Sequence, residues 1–452
     1  MEMNRTRSIC NLIICLMIIS LTGCSLPTAP SNLIRPPQAN EANLKLKQDI
    51  EKFLPPEARL TIPASSKGNA KTFFEADING DGVNEILAFY KLGNEGFRLG
   101  FIVLTPAANQ GWQEMARVDE YADDIVLVDF IDITGNKVPD LLVGWSGGSY
   151  DLGNQLSIYS FNNNELISLE PISYRNLTTG DLDGDKLAEL AIIIDKRVQD
   201  IPNAVVEVYK YENQELNLTY TAEFAGCYPG ELLIGNAAPE KKGLFVETYL
   251  GAHSAATHLL VYQEGQLISA LAEEPDDVSY NFKPYPLPSK DVDGDGIIEI
   301  GIHIEPPGSE NLAMVEIPWI ENWYRWDGQT GLEWVSEVYA DYGLSYEWQI
   351  PAQWRDQYTI TRETGEEISR VEFYALADKY QHEIFTLLTI DDELWEAEEK
   401  RIQQEGKIYE VIEENRLLGK VYVAILAGLE TDQTILPITL EQIKARFRVV
   451  SS

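Results

Sequence analysis

The stretch DINGDGVNE, residues 77–85, places side-chain oxygens at alternate positions: Asp77, Asn79 and Asp81 at positions 1, 3 and 5, and Glu85 at position 9. Carboxylates gathered this closely repel one another unless a cation sits among them. In a chain whose formal net charge is −37, a further acidic cluster needs such a reason. A loop that curls around a hard divalent ion presents oxygens at this spacing. Residue 7, here Val83, then offers its backbone carbonyl and a later carboxylate closes the shell. The chemistry expected is cation binding. Ca2+, which takes about six to eight oxygens, suits the frame better than Mg2+, which tends to keep several waters.

The frame recurs three times. DITGNKVPD supplies Asp132, Thr134, Asn136, Val138 and Asp140; DLDGDKLAE supplies Asp181, Asp183, Asp185, Leu187 and Glu189; DVDGDGIIE supplies Asp291, Asp293, Asp295, Ile297 and Glu299. The first residues lie 55, 49 and 110 apart, and a step of 55 from Asp181 reaches Asn236, where the frame has decayed but apolar runs still flank it. Around each loop stands one apolar run before and another directly after, as in EILAFY, DLLVGW, ELAIII and EIGIHIE, followed by two more alternating runs. Four short strands per unit of about 50 residues is the pattern of a β-propeller, whose blades bury each other's faces. The fold class expected is therefore mainly β: a propeller of about five to seven blades with calcium-binding hairpin loops, followed by a small α+β domain. The competing reading of any single loop is a solvated Asx-type turn, in which Asp, Asn and Gly serve local hydrogen bonds. It weighs most on residues 132–140, which hold two carboxylates.

An EF-hand would close at position 12 and continue into a helix, but that position is Ala88, Val143, Ile192 and Ile302, each inside an apolar run. Closure at position 9 resembles the FG-GAP and bacterial VCBS repeats, the calcium-loop blades also found in integrin α chains, over about residues 70–340. That resemblance implies a propeller with calcium in its hairpin loops and a role in adhesion or ligand binding. The chain departs from the family at position 6, where the expected glycine is Lys137 and Lys186 in the second and third loops, so the first and fourth loops are the stronger candidates.

The ends point to export. Arg5 and Arg7 precede an apolar run at 9–19 and then LTGC, the order of a secretion signal. The small residues ending in Cys look like a lipoprotein lipobox, with Cys24 the lipidated first residue of the mature chain. The apolar run is short of the roughly 20 residues that span a bilayer. Cys10 and Cys15 would leave with the signal, so Cys227 stands alone and no internal disulfide is possible. Residues 1–23 read as the signal, 24–45, rich in Pro, Ser and Asn, as a tether, 46–340 as the propeller and 341–452 as the α+β domain. In the last of these, the runs at 346–363, 368–377 and 382–390 read as strands and residues 391–404 as a helix ending at Gly406. Residues 407–415 and 420–428 read as paired strands, and 439–450 as a closing helix. This segment loosely resembles Mog1/PsbP-like domains, which carries no function over.

Other chemistry is sparse. The histidines 253, 258, 303 and 382 show no zinc-helix spacing, though His253 and His258 flank SAAT as a possible pair, and no nucleophile or phosphate-loop motif occurs. Trp319, Trp323, Tyr324, Trp326 and Trp334 fall within sixteen residues, suited either to stacking on a ligand or to filling the last blade. WSGGSY and YLGAHS follow the loop strands of the second unit and of the fourth, decayed unit at Asn236, at matching places. The net negative charge argues against nucleic acid as a partner. The function expected is that of a lipid-anchored calcium-binding module in a bacterial cell envelope, facing outside the cytoplasm, with a protein or glycan ligand and no catalytic role. The alternatives are a calcium-dependent polysaccharide lyase or hydrolase on the same scaffold, and a structural envelope scaffold.

Overall fold

The structure is a computed structural model that describes residues 41–450 apart from 65–70, 94–97, 109–110, 148–152, 163–164, 272–281, 378–379 and 428–435. The signal, Cys24, most of the tether and the end of WSGGSY lie outside the described residues. The chain divides into two compact units, Met1–Arg59 and Leu60–Ser452. In the first, Glu41–Glu51 is a helix, so residues 41–45, assigned above to the tether, are helical. Ala, Leu, Lys, Gln and Glu dominate that stretch and favour helix where the proline-rich sequence before it cannot.

The second unit is mainly β, and the described residues as a whole are 56% strand and 9% helix. Phe73–Ala76, Glu85–Leu92, Arg98–Pro106 and Trp112–Tyr121 pair antiparallel in chain order. The second sheet runs Ile125–Ile131, Asp140–Ser146 and Asn154–Asn162, with an outer strand broken into Glu165–Ser168 and Ile172–Tyr174. The third runs Asn176–Gly180, Glu189–Asp195, Asn203–Glu212 and Glu215–Ala225. The fourth runs Tyr228–Ala238, Lys241–Tyr249, Ala255–Gln263 and Gln266–Ser269, with Phe282–Lys283 beside the third of these. In the fifth, a single Lys290–Glu299 bridge precedes Ile300–Ile304, Ile320–Trp326, Leu332–Asp341 and Tyr346–Ile350.

Each sheet buries both faces. In Asp140–Ser146, Leu141, Val143 and Trp145 join a core shared with the first sheet, and Leu142 joins one shared with the third. In Glu189–Asp195, Leu190 and Ile192 face back while Ala191 and Ile193 face the fourth sheet. Successive residues of a strand point to opposite faces, so strands buried on both sides read as unbroken apolar runs. The same sharing links the fourth sheet to the fifth, through Phe245, Leu259, Ile300 and Trp326. No closed barrel or propeller is detected among the described residues.

Two sequence-based expectations at the C-terminal end need correction. The strand Tyr346–Ile350 pairs with Leu332–Asp341 and completes the fifth sheet, so residue 341 does not separate the sheets. The final stretch is not one helix: Leu440–Ala445 is helical, and Phe447–Val449 then pairs with Tyr346–Ile350. A capping box between Thr439 and Gln442 starts that helix, and the alternating Arg446-Phe447-Arg448-Val449 ends it in favour of a strand. The sixth sheet orders Tyr358–Glu363, Ile368–Ala377, Tyr380–Asp391, Lys420–Leu426 and Tyr409–Asn415, and helix Asp392–Gln404 packs on it through Ile402. Its other face meets the fifth sheet over Trp348, Trp354, Phe373 and Phe385, with the two Phe rings stacked at 4.5 Å. Trp323 and Trp326 are likewise buried, each under an ammonium, from Lys290 and Lys241 respectively, so these rings fill the fifth sheet.

Candidate metal centres

The four acidic loops each join the first strand, or its bridge, to the second strand of a sheet, and they share one hydrogen-bond plan. The position 1 carboxylate accepts two backbone N–H groups. Asp77 takes Gly80 at 2.8 Å and Gly82 at 2.9 Å, and Asp291 takes Gly294 at 2.7 Å and Gly296 at 2.9 Å. Asp181 takes Gly184 and Lys186, and Asp132 takes Asn136 and Lys137. The position 5 side chains Asp81, Asn136, Asp185 and Asp295 accept the N–H of Val83, Val138, Leu187 and Ile297 at 2.7–2.8 Å. The closing carboxylates Glu85, Asp140, Glu189 and Glu299 accept the N–H of Ile78, Ile133, Leu182 and Val292. They are 1%, 0%, 3% and 0% exposed. Asx-type bonding thus shapes every loop, and the question is which oxygens it leaves over.

The answer depends on the residue opposite the closing carboxylate on the neighbouring strand. It lies one step beyond the registered pairs Ile86/Leu104, Leu141/Tyr159, Leu190/Tyr209 and Ile300/Tyr324, and is Thr105, Ser160, Lys210 and Arg325. In the first loop, Thr105 Oγ1 donates to Glu85 Oε1 at 3.0 Å, and Asn79 turns Nδ2 to Glu85 at 3.2 Å and Asp81 at 3.3 Å. In the second, Thr134 gives Asp140 both its N–H at 2.8 Å and its hydroxyl at 3.0 Å, while Asn136 donates to Ser160 at 3.3 Å. In the third, the Lys210 ammonium pairs with Asp183, with Asp185 at 2.7 Å and with Glu189 at 3.5 Å. In the fourth, Arg325 leans outward, 3.4 Å from Asp295 and 3.3 Å from Glu333. Glu299 Oε1 there is buried with no hydrogen-bond partner among the described residues, and so is Glu189 Oε1 in the third loop, where the Lys210 ammonium stands 3.5 Å off.

Two oxygens that each lie about 2.4 Å from one calcium ion are at most about 4.8 Å apart. Asp291, Asp293 and Asp295 bring carboxylate oxygens within 4.8 Å of one another, as do Asp181, Asp183 and Glu189. Burial pushes the Glu299 carboxyl up to about 7, and the charges of Asp293, Asp295 and Asp291 add to the shift. Burial likewise raises Glu85 and Glu189. The hydrogen bond from Lys210 instead lowers Asp185. The donor set of the fourth loop therefore fits a divalent cation: hard oxygens, mutual repulsion and one orphaned buried oxygen.

Sequence reasoning found the nine-residue frames but not the residues opposite them. Thr105, Ser160, Lys210 and Arg325 follow the closing carboxylates by 20, 20, 21 and 26 residues, a near-constant offset that could have exposed them. Asn236, where the frame decays, sits just before a tight turn at 239–240 between paired strands, and its side chain donates to the Gly296 carbonyl of the fourth loop at 2.8 Å. The histidines are not gathered. His258 stacks on Phe224 at 4.1 Å and meets Thr248 Oγ1 at 3.2 Å, while His253 lies edge-on to Tyr285. Cys227 is a buried free thiol.

No family model matches this chain, and no curated protein matches it. Solved structures do match, among them the crystal structure of a protein from Lactobacillus plantarum that is 9% identical, with a TM-score of 0.28, over 66% of this chain and 81% of that one. A likeness of that size bears on neither the fold nor the site.

Proposed function

We propose that this chain is a calcium-binding lipoprotein of a bacterial cell envelope, held by a lipid on Cys24 and acting as a binding or adhesion module for a protein or glycan rather than as an enzyme. In this reading the successive sheets are blades of an FG-GAP/VCBS-like propeller, and calcium in the hairpin loops screens the carboxylates where blades meet. The observation that carries it is Glu299 Oε1, buried without a hydrogen-bond partner among the described residues, in the loop that gathers Asp291, Asp293 and Asp295. An isolated buried carboxylate oxygen costs on the order of 1–3 kcal/mol or more, and a divalent ion would remove that cost.

Calcium titration of the mature chain by calorimetry tests the reading. Binding with a dissociation constant of about 10⁻⁴–10⁻³ M is expected, as in extracellular calcium modules, with one equivalent lost on Asp293→Ala. An ion bound only by the folded state stabilises it by roughly 2.7 kcal/mol at a hundredfold excess over its dissociation constant, so a chelator should lower the melting temperature by several degrees. No heat of binding up to millimolar calcium, together with an unmoved melting curve, would overturn it.

A further inference from the structure

We propose that Lys210 is the resident cation of the third loop, and that this loop is a latent calcium site held shut by a side chain. The ammonium contacts Asp183, Asp185 and Glu189, at positions 3, 5 and 9, the same positions whose side chains would face an ion. It reaches them from the strand Asn203–Glu212, and its side chain is 15% exposed. Lys210 lines a cleft of about 420 Å³ together with Asp183, Glu189, Leu182, Tyr220 and Tyr262, so the carboxylates it pairs with border a space that an ion could enter once the ammonium is gone.

The sister loops show why this position decides the matter. The residue in the same register is a hydroxyl in the first and second loops and an arginine in the fourth. A lysine ammonium is a compact point charge on a flexible stem, whereas a guanidinium is a wide planar fork. Arg325 accordingly reaches Asp295 and Glu333, while Lys210 brings its charge within 3.5 Å of Glu189 Oε1; that oxygen, like Glu299 Oε1, is buried without a hydrogen-bond partner among the described residues, so the ammonium balances its charge and leaves its coordination unfilled. Without Lys210, Asp181, Asp183, Asp185 and Glu189 would face one another with the charge pattern of the fourth loop. The inference takes the identity of the ion from the proposed function, but the role of Lys210 stands on its own contacts.

The test compares calcium stoichiometry in the wild type, Lys210→Thr and Lys210→Arg, using the mature chain. Thr is the residue that the first loop carries in this register. Lys210→Thr should bind one more equivalent than the wild type, melt lower than the wild type in EDTA and recover in millimolar calcium. Lys210→Arg should bind as many equivalents as the wild type. If Lys210→Thr gains none, the inference fails. Should that variant not fold, Asp183→Asn in the wild type decides: an unchanged number of equivalents supports a loop already filled by lysine, and the loss of one overturns it. A wild type that binds no calcium beside a Lys210→Thr that binds one would remove the proposed function and leave the inference standing.

Discussion

At the scale of single residues, the loops separate two jobs that look alike on paper. Asp132 holds its turn by accepting two backbone N–H groups, at 3.1 and 2.8 Å, in a loop whose closing Asp140 is met by protein donors. Asp293 accepts one, at 3.1 Å, and belongs to the cluster that fits an ion. Asp132→Ala should therefore cost about 0.5–1.5 kcal/mol for each of the two hydrogen bonds it removes from exposed N–H groups, in EDTA and in calcium alike. Asp293→Ala should lose most of its stability only in calcium, which urea unfolding in both buffers would show; equal losses in the two buffers would contradict the division. Lys137 and Lys186 make a second case, with φ of 70° and 75° where Gly82 and Gly296 have 86° and 85°. A side chain in that left-handed region costs about 1–2 kcal/mol, so Lys137→Gly should stabilise the protein by about 1 kcal/mol. A destabilised variant would mean that the lysine stem contributes packing that outweighs the strain.

At the scale of elements, neighbouring loops touch, and their glycines mark where. A Cβ on Gly80, itself at φ 78°, would lie 2.8 Å from Val138 Cγ2, and one on Gly135 would lie 3.0 Å from Leu187 Cδ2. Position 4 of one loop thus packs on position 7 of the next, which keeps consecutive sheets in step. Gly80→Ala should cost about 1–3 kcal/mol through overpacking and backbone strain together. Adding Val138→Ala should return the steric part and leave the strain, a coupling that a double-mutant cycle measures. Additive losses would show that the loops do not press on each other. This layer was only partly legible in the sequence. Strands such as Asp140–Ser146 announce themselves because both faces are buried, and the acidic frames announce the turns between them. A pairing that closes over a long separation left no local trace: Phe447–Val449 joins Tyr346–Ile350 from about a hundred residues away. Lys210 meets its loop through strand register, legible only by comparing its offset with those of the sister loops. A local pattern specifies which residues face inward, whereas partner choice depends on elements folded elsewhere.

At the scale of the whole molecule, the acidic surface suggests a protein that should weather low pH, since protonation relieves repulsion among its carboxylates. The buried carboxyl of Glu299, raised to about 7, works in the same sense, because the fold takes up its proton as pH falls. The two buried histidines argue the other way. Burial pushes His258 down to about 4, against Phe224 and with Glu247 opposing and Lys283 adding to the shift. Burial and Lys283 do the same to His303, whose Nδ1 is buried without a hydrogen-bond partner among the described residues. Both imidazoles are thus held neutral in the fold, beside an ion pair in which Lys283, fully buried, meets Glu247 at 3.3 Å. Below the ordinary histidine value of about 6.5 the unfolded chain takes up protons that the folded chain refuses. Their contribution is therefore intact above about 6.5 and is lost as pH falls toward 4, by an amount on the order of a few kcal/mol for each ring. In EDTA, where calcium cannot contribute a pH dependence of its own, urea unfolding at pH 7 and pH 5 should show a loss for the wild type. His258→Gln should show a smaller one. A variant that loses as much as the wild type would mean that the pH dependence arises outside this interior, and a wild type that gains stability at pH 5 would mean that relief of carboxylate repulsion governs the molecule as a whole.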